Sequence, residues 1–209
     1  MKNCRLNDNG YMLKYLNKKN LNIQRIDLHK IIIFILCVIC TSVSASDDIE
    51  LIVIRSEHKL LIVKNDVVLT TFRAAFGSGG RKAKLQRGDH TTPKGNYRIK
   101  RVRDSDKFHS FLQLDYPSVN DALIALASNI ITKADYNAIV DAHIAGKTPP
   151  QDTPLGGSIG IHGIGVETQD KIEIHQIADW TQGCIALRND EVDVLRRYIK
   201  VGTEVTIVD

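Results

Sequence analysis

Two apolar runs open the patterned part of the chain, Leu-Ile-Val-Ile and Leu-Leu-Ile-Val within Glu50 to Val63, separated by the charged stretch Arg55 to Lys59. Such short runs bounded by polar residues predict a β-hairpin, and Lys64–Asn65–Asp66 predicts the turn into a third strand, Val67 to Phe76. Gly77 to Gly80 and Lys82 to Asp89 read as a loop rich in glycine and lysine. Alternation over Tyr97 to Val102 and over Phe111 to Leu114 predicts two more strands. Thr132 followed by Asp135 has the form of a capping box, and the stripe Tyr136, Ile139, Val140 and Ile144 predicts a helix ended by Gly146. After a loop from Thr148 to Gly157, the segments Ser158 to Gly163 and Lys171 to Ile174 alternate as strands. Asn189 or Asp190 predicts the cap of a second helix carrying Val192, Leu195 and Ile199 and closed by Gly202. Thr203 to Val208 predicts a last strand. Many short strands with two helices inserted late predict a mainly β fold, a sandwich or barrel.

Residues 1–45 follow a different pattern. Lys18, Lys19, Arg25 and Lys30 precede the apolar run Ile31 to Cys40, and Thr41 to Ala45 then supplies small residues before Asp47–Asp48. A charged segment, a short apolar core and a Val-Ser-Ala site predict a secretory signal cleaved after about Ala45, with Met12 a possible alternative start. An uncleaved anchor or a buried helix is the competing reading, but the run is short for a span of roughly 20 residues. The context of Cys37 and Cys40 does not suggest a lipoprotein.

This division changes the meaning of the charge. The chain of 209 residues carries 28 Lys and Arg against 24 Asp and Glu, a net of +4. Seven basic and two acidic residues lie in 1–45, so 46–209 holds 21 basic and 22 acidic residues. The body is therefore not basic, which argues against nucleic acid as a partner. The basic run Arg81, Lys82, Lys84, Arg87, Lys94, Arg98, Lys100, Arg101 and Arg103 reads as a solvated face or as an attractor of anionic peptides.

Cysteine content changes with the same division. Cys4, Cys37 and Cys40 fall in the leader, which leaves Cys184 alone in the exported domain and unable to form an internal disulfide. A lone cysteine is commonly an inert buried one. Its surroundings here, Asp179-Trp180-Thr181-Gln182-Gly183-Cys184-Ile185-Ala186-Leu187, follow Ile161-His162-Gly163 and suggest chemistry. A thiol attacks an amide as thiolate and needs a base, a role His162 on a neighbouring strand could fill before protonating the leaving amine. If so, Cys184 is expected to ionise below the free-cysteine value of about 8.5. Gly183 allows close approach of backbone and substrate, and N–H groups around Cys184 could hold an oxyanion. No cluster of metal ligands is evident, and no cofactor is expected.

Here the chain resembles the L,D-transpeptidase catalytic domain family, also called YkuD-like. Ile161-His162-Gly163 matches the first half of its signature, and Thr181, Gly183, Cys184 and Ile185 match the second. Gly88 to Ile99, with Thr92-Pro93-Lys94-Gly95-Asn96-Tyr97, and Tyr116–Pro117 are also similar to family segments. The likeness covers Glu50 to Asp209. Gln182 stands where the family usually has a His, and the Asp-Trp-Thr-x-Gly-Cys-Ile-Ala-Leu form resembles a branch in which His175 has a counterpart.

The resemblance implies a β-sandwich or barrel-like fold, Cys184 as nucleophile with His162 and Gly183 in the catalytic group, and Gly163, His175, Thr181 and Gln182 in contact with substrate. It implies acyl transfer on peptidoglycan stem peptides in the periplasm of a Gram-negative bacterium, by a monomer that keeps no membrane span after cleavage. Hydrolysis by the same site, as an L,D-carboxypeptidase or amidase, and a wall-binding module without chemistry are the alternatives. His175 is balanced between substrate contact and support, and Trp180 reads as a packing anchor beneath the nucleophile loop rather than a binding platform. His90 and His109 are candidate substrate contacts, while His29, His58 and His143 suggest no function.

Overall fold

The computed structural model describes residues 49–209, and the leader expected over 1–45 lies outside the described residues. Eight strands form one sheet: β1 (Ile49–Ile54), β2 (Lys59–Lys64), β3 (Val67–Arg73), β4 (Gly95–Ser105), β5 (His109–Leu114), β6 (Gly160–Gly163), β7 (Ile185–Leu187) and β8 (Glu204–Val208). Their order is β3-β2-β1-β8-β4-β5-β6-β7. The hairpin and the third strand form as the pattern predicts, with β1 antiparallel to β2 and β2 antiparallel to β3.

Beyond Arg73 the chain leaves its ladder and meets the opposite edge. Ala75 and Ala186 exchange backbone bonds of 3.0 and 2.8 Å, and Gly77 bridges Thr181. The sheet therefore curls into a nearly closed barrel, which removes most of its free edge. Inward positions of every strand fill it, among them Leu51, Leu60, Ile62, Ile99, Leu112, Ile161, Leu187 and Val205. A second cluster, Ala122, Ala125, Ile131, Ile139 and Leu155, joins the helical insertion.

Four helices are present among the described residues: α1 (Val119–Ala127), α2 (Lys133–Ile144), α3 (Gln169–Ile177) and α4 (Asn189–Arg196). The expectation of two is corrected. Ser118 and Asp121 form a reciprocal capping box that starts α1, whose Ala122 and Ala125 are buried one turn apart. The strand expected at Lys171 to Ile174 is instead the middle of α3, because Thr168 caps it by accepting from the Lys171 N–H at 3.3 Å. Alternating Ile172 and Ile174 suggested a strand, but the chain buries His175 on the helix face of Ile172 and leaves Ile174 exposed. Thr132 and Asp135 form the expected box on α2, though Ile144 is 80% exposed and does not belong to its stripe. The N-cap of α4 is Arg188 rather than Asn189 or Asp190. Among the described residues no helix is long and apolar enough to cross a membrane.

Ile161, with no exposed surface, packs in the barrel core on the strand between β5 and β7. Replacing it by Ala is expected to lower unfolding free energy by about 2–5 kcal/mol in urea titrations. Leu123→Ala on the exposed side of α1 is expected to change it by about 0.5 kcal/mol or less.

Candidate active site

Strands β6 and β7 run parallel with Ile161 opposite Ile185 and His162 opposite Ala186. Continuing that register by one residue sets Cys184 opposite Gly160, two positions before the His162 level. Side chains two residues apart share a face, so Cys184 and His162 point to the same side of the sheet. Both line one cleft of about 430 Å³, together with Thr181, Gln182, Trp180, Ser158 and Ile159. The sequence separates the two groups by 21 residues, and α3 with its 9 residues lies within that interval.

The nucleophile loop is held from both ends. Asp179 accepts from the Phe76 N–H at 2.7 Å and lies 3.3 Å from His58 Nε2, pinning the loop to the end of β3. Thr181 Oγ1 donates to the Cys184 carbonyl at 2.6 Å and accepts from the Gly183 N–H at 3.1 Å. Gly183 sits at φ +123°, where a side chain is strained, and a Cβ there would meet the Thr91 carbonyl at 2.9 Å. Its role is thus to shape the turn, and its N–H is committed to Thr181 rather than aimed at substrate. Gly160 is equally constrained, since a Cβ would lie 2.5 Å from the Leu112 carbonyl and 2.8 Å from the Phe111 ring.

His162 is only 2% exposed. Its Nδ1 lies 2.7 Å from the Gly163 carbonyl, which can only accept, so Nδ1 carries the proton and Nε2 keeps its lone pair. Phe108 packs 4.3 Å from the imidazole centroid, Phe111 stacks at 6.2 Å, and Trp180 meets it edge-on at 6.0 Å. Burial in this aromatic shell pushes its pKa down from 6.5 to about 4, with the Lys107 and His175 charges adding to the effect and the Gly163 bond opposing it. His162 is therefore neutral near pH 7.

Cys184 Sγ donates to the Ser158 carbonyl at 3.3 Å. Although the residue keeps an opening to the cleft, burial of the thiol pushes its pKa up to about 11, against the opposing pull of the Gly160 backbone and the Lys84 charge. The expectation of a resting thiolate is corrected. The free site holds a neutral thiol and a neutral imidazole, because burial disfavours the charged form of each.

The other expected contacts divide. Thr181 and Gln182 line the cleft. His175 does not: it is wholly buried on α3, its ring nitrogens make no regular hydrogen bond, and burial and the Arg73 charge lower its pKa. Gly163 is buried beside Asn189, where a Cβ would lie 2.4 Å from Oδ1, and Asn189 in turn bonds Gly165 through both ends of its amide. Both are supports behind the cleft rather than parts of its lining. Trp180 is wall and packing at once. His109 pairs with Asp193 at 2.9 Å, His143 with the Pro117 carbonyl at 2.8 Å, and His90 with Ser78 at 3.4 Å, all away from the cleft lining.

Much of the basic run is neutralised locally, through Lys84–Asp89, Lys94–Asp209 and Arg98–Glu204. Sequence reasoning missed Lys107, Phe108 and Phe111 as cleft residues; only the β5–β6 pairing brings their hairpin to His162. Among the described residues no group of three or more His, Cys, Asp or Glu side chains is arranged to hold a metal ion.

Solved structures with similar chain paths include the L,D-transpeptidase (residues 123–326) of Xylanimonas cellulosilytica DSM 15894, at 15% identity and a TM-score of 0.44 over 78% of this chain and 62% of that one. Bdellovibrio bacteriovorus Bd1075 gives 19% and 0.48 over 77% and 48%, and the helical cell shape determining protein Pgp2 of Campylobacter jejuni gives 20% and 0.47 over 77% and 48%. The chain thus spans between about half and three fifths of the length of these proteins. No curated protein sequence matches it. The sequence profile described as YkuD, L,D-transpeptidase catalytic domain, matches residues 48–207, which is most of the chain, and the protein belongs to that family.

Proposed function

We propose that the protein is a peptidoglycan L,D-transpeptidase in which Cys184 takes the acyl group of a wall tetrapeptide stem and passes it to an amine. The observation that carries this reading is the shared cleft face of Cys184 and His162, with the unprotonated Nε2 of the imidazole available as base. On attack at the carbonyl of the L-centre of diaminopimelate, the Sγ–C bond forms as His162 takes the thiol proton. The Cys184 N–H stabilises the oxyanion, since Gly183 is engaged elsewhere. Collapse breaks the C–N bond, His162 returns the proton to the departing D-alanine, and a thioester remains. The acceptor amine then attacks the thioester, His162 taking its proton, and the thiol is restored.

The high thiol pKa is compatible with this sequence. Proton transfer concerted with attack avoids a free thiolate, and a low-pKa imidazole stays unprotonated through the physiological range. The reading places the protein outside the cytoplasm, consistent with the leader pattern of residues 1–45 and with a single cysteine after it. N-terminal sequencing of the protein from its host is expected to begin near Ser46.

Incubation with defined muropeptides, followed by mass analysis, is expected to give D-alanine and cross-linked dimers. Tripeptide alone would identify water as the acceptor and make the enzyme a carboxypeptidase. Cys184→Ala is expected to lose several powers of ten in turnover with its melting temperature unchanged; parent-like turnover would remove Cys184 from the mechanism.

The pH dependence follows from the two buried groups. kcat/KM is expected to fall as pH drops through about 4, where His162 becomes a cation, and His162→Gln to lose that limb along with several powers of ten in rate. Alkylation of Cys184 by iodoacetamide is expected to be slow at pH 7 and to climb roughly tenfold per pH unit, levelling near 11. A plateau already reached at pH 7 would show an ion pair instead. Stability follows the same groups. Unfolded His162 binds its proton at about 6.5 and folded His162 only at about 4, so stability is lost as pH falls through that interval, by roughly 3 kcal/mol. Denaturant titrations between pH 4 and 7 measure it.

A further inference from the structure

One cross-strand row runs straight across the sheet: Arg103 on β4 opposite Phe111 on β5, Phe111 opposite His162 on β6, and His162 opposite Ala186 on β7. Directly paired residues share a face, so Arg103 stands on the reactive face two strand spacings from His162, about 10 Å between backbones. Its guanidinium carbon lies 5.0 Å from the Phe111 ring centroid. At the turn of the same hairpin, the Lys107 ammonium lies 4.9 Å from the Phe108 centroid. Both side chains line the Cys184–His162 cleft.

These two cations differ from several others of the body in having no carboxylate partner. Arg98 and Arg196 each have a carboxylate partner at 2.5 to 2.7 Å. The heads of Arg103 and Lys107 make no ion pair among the described residues, and the cleft lining contains no Asp or Glu. Asp104 alternates to the other side of β4 and is occupied by Arg196 at 2.7 Å. Two uncompensated positive groups therefore face one reactive cleft, fixed on aromatic rings that limit their freedom.

We propose that Arg103 and Lys107 form a carboxylate clamp that selects acyl donors bearing a free carboxylate near the scissile amide. The inference rests on the reaction proposed above and deepens it, since the two residues that flank the scissile amide of a tetrapeptide stem carry one free carboxylate each. One is the terminal carboxylate of the departing alanine, two bonds beyond the scissile nitrogen. The other is the carboxylate on the second centre of diaminopimelate. Both are singly charged planar acceptors that a guanidinium can grip through two N–H groups.

The test uses the Cys184→Ala protein, which cannot turn substrate over, and three tetrapeptide stems at 0.15 M salt: one with both carboxylates free, one amidated at the terminal alanine, one amidated at the second centre of diaminopimelate. One amidation is expected to weaken Kd by about tenfold or more, and its position identifies the carboxylate held. Adding Arg103→Gln and Lys107→Gln is expected to weaken the free peptide to the same degree and to abolish the difference between it and its amide. Lys82→Gln, an exposed cation outside the cleft lining, is expected to leave all three affinities as they were. Equal binding of acid and both amides, a preference that survives the double substitution, an equal loss with Lys82→Gln, or no binding of any peptide would each overturn the clamp. Turnover of the parent enzyme on the unmodified stem, measured separately, decides the transpeptidase reading itself.

Discussion

The parallel contact between β6 and β7 sets the spacing of the reactive pair, and it survives only because small residues occupy the positions around it. Each strand is short, four residues and three, so few backbone bonds hold the register. Gly160 lets β5 approach from one side. Ala186 faces His162 from the other and ties β7 to Ala75 through two backbone bonds. A slip of β7 by one residue would turn Cys184 to the opposite face from His162 and put Ile185 into the cleft. The barrel core resists that slip, because Ile161, Ile185 and Leu187 are all fully buried. Packing energy on one face of the sheet thereby fixes chemical geometry on the other.

The same packing determines the resting charge state. Phe108, Phe111 and Trp180 enclose the imidazole and remove water from it, and Ser158 and Ile159 wall the thiol. An ion pair here would have to offset the desolvation of two charges, while the neutral pair offsets none. A donor peptide changes this balance by placing its own amide dipole in the cleft. In the proposed reaction the thiol is charged only in the act of bond formation, which protects it from the oxidants that attack thiolates. Placement of Lys107 near His162 belongs to the same logic: burial keeps the imidazole unprotonated, and the Lys107 charge adds to that effect from the cleft rim.

Much of this was legible in the sequence, and the failures have local causes. The hairpin, the box at Thr132–Asp135 and the last strand follow from period and capping alone. Cys184 and His162 stood out because one thiol lies beyond the expected leader and a His-Gly pair precedes it. The strand β7 was not legible, being three residues long and defined by its neighbours. Helix α3 misled because Lys-Ile-Glu-Ile alternates, whereas its start depends on one threonine hydroxyl. His175 lies close to the motif in sequence but is turned inward by that helix. Lys107, Phe108 and Phe111 lie far from it and reach the cleft only through antiparallel register, a relation no local pattern encodes.

The two kinds of residue around the cleft therefore answer to different constraints. Those that set the chemistry, Cys184, His162 and the glycines beside them, are fixed by backbone contacts at which a single added carbon collides with a carbonyl oxygen. Those at the rim, Arg103, Lys107 and Gln182, extend into solvent from a hairpin and a turn and can be exchanged without disturbing the core. Gln182 occupies the rim position next to Gly183, so its difference from the usual His bears on what enters the cleft and leaves His162, within its aromatic shell, untouched. Reaction type is consequently tied to the barrel, while the choice of peptide is carried by side chains that the barrel leaves free to vary.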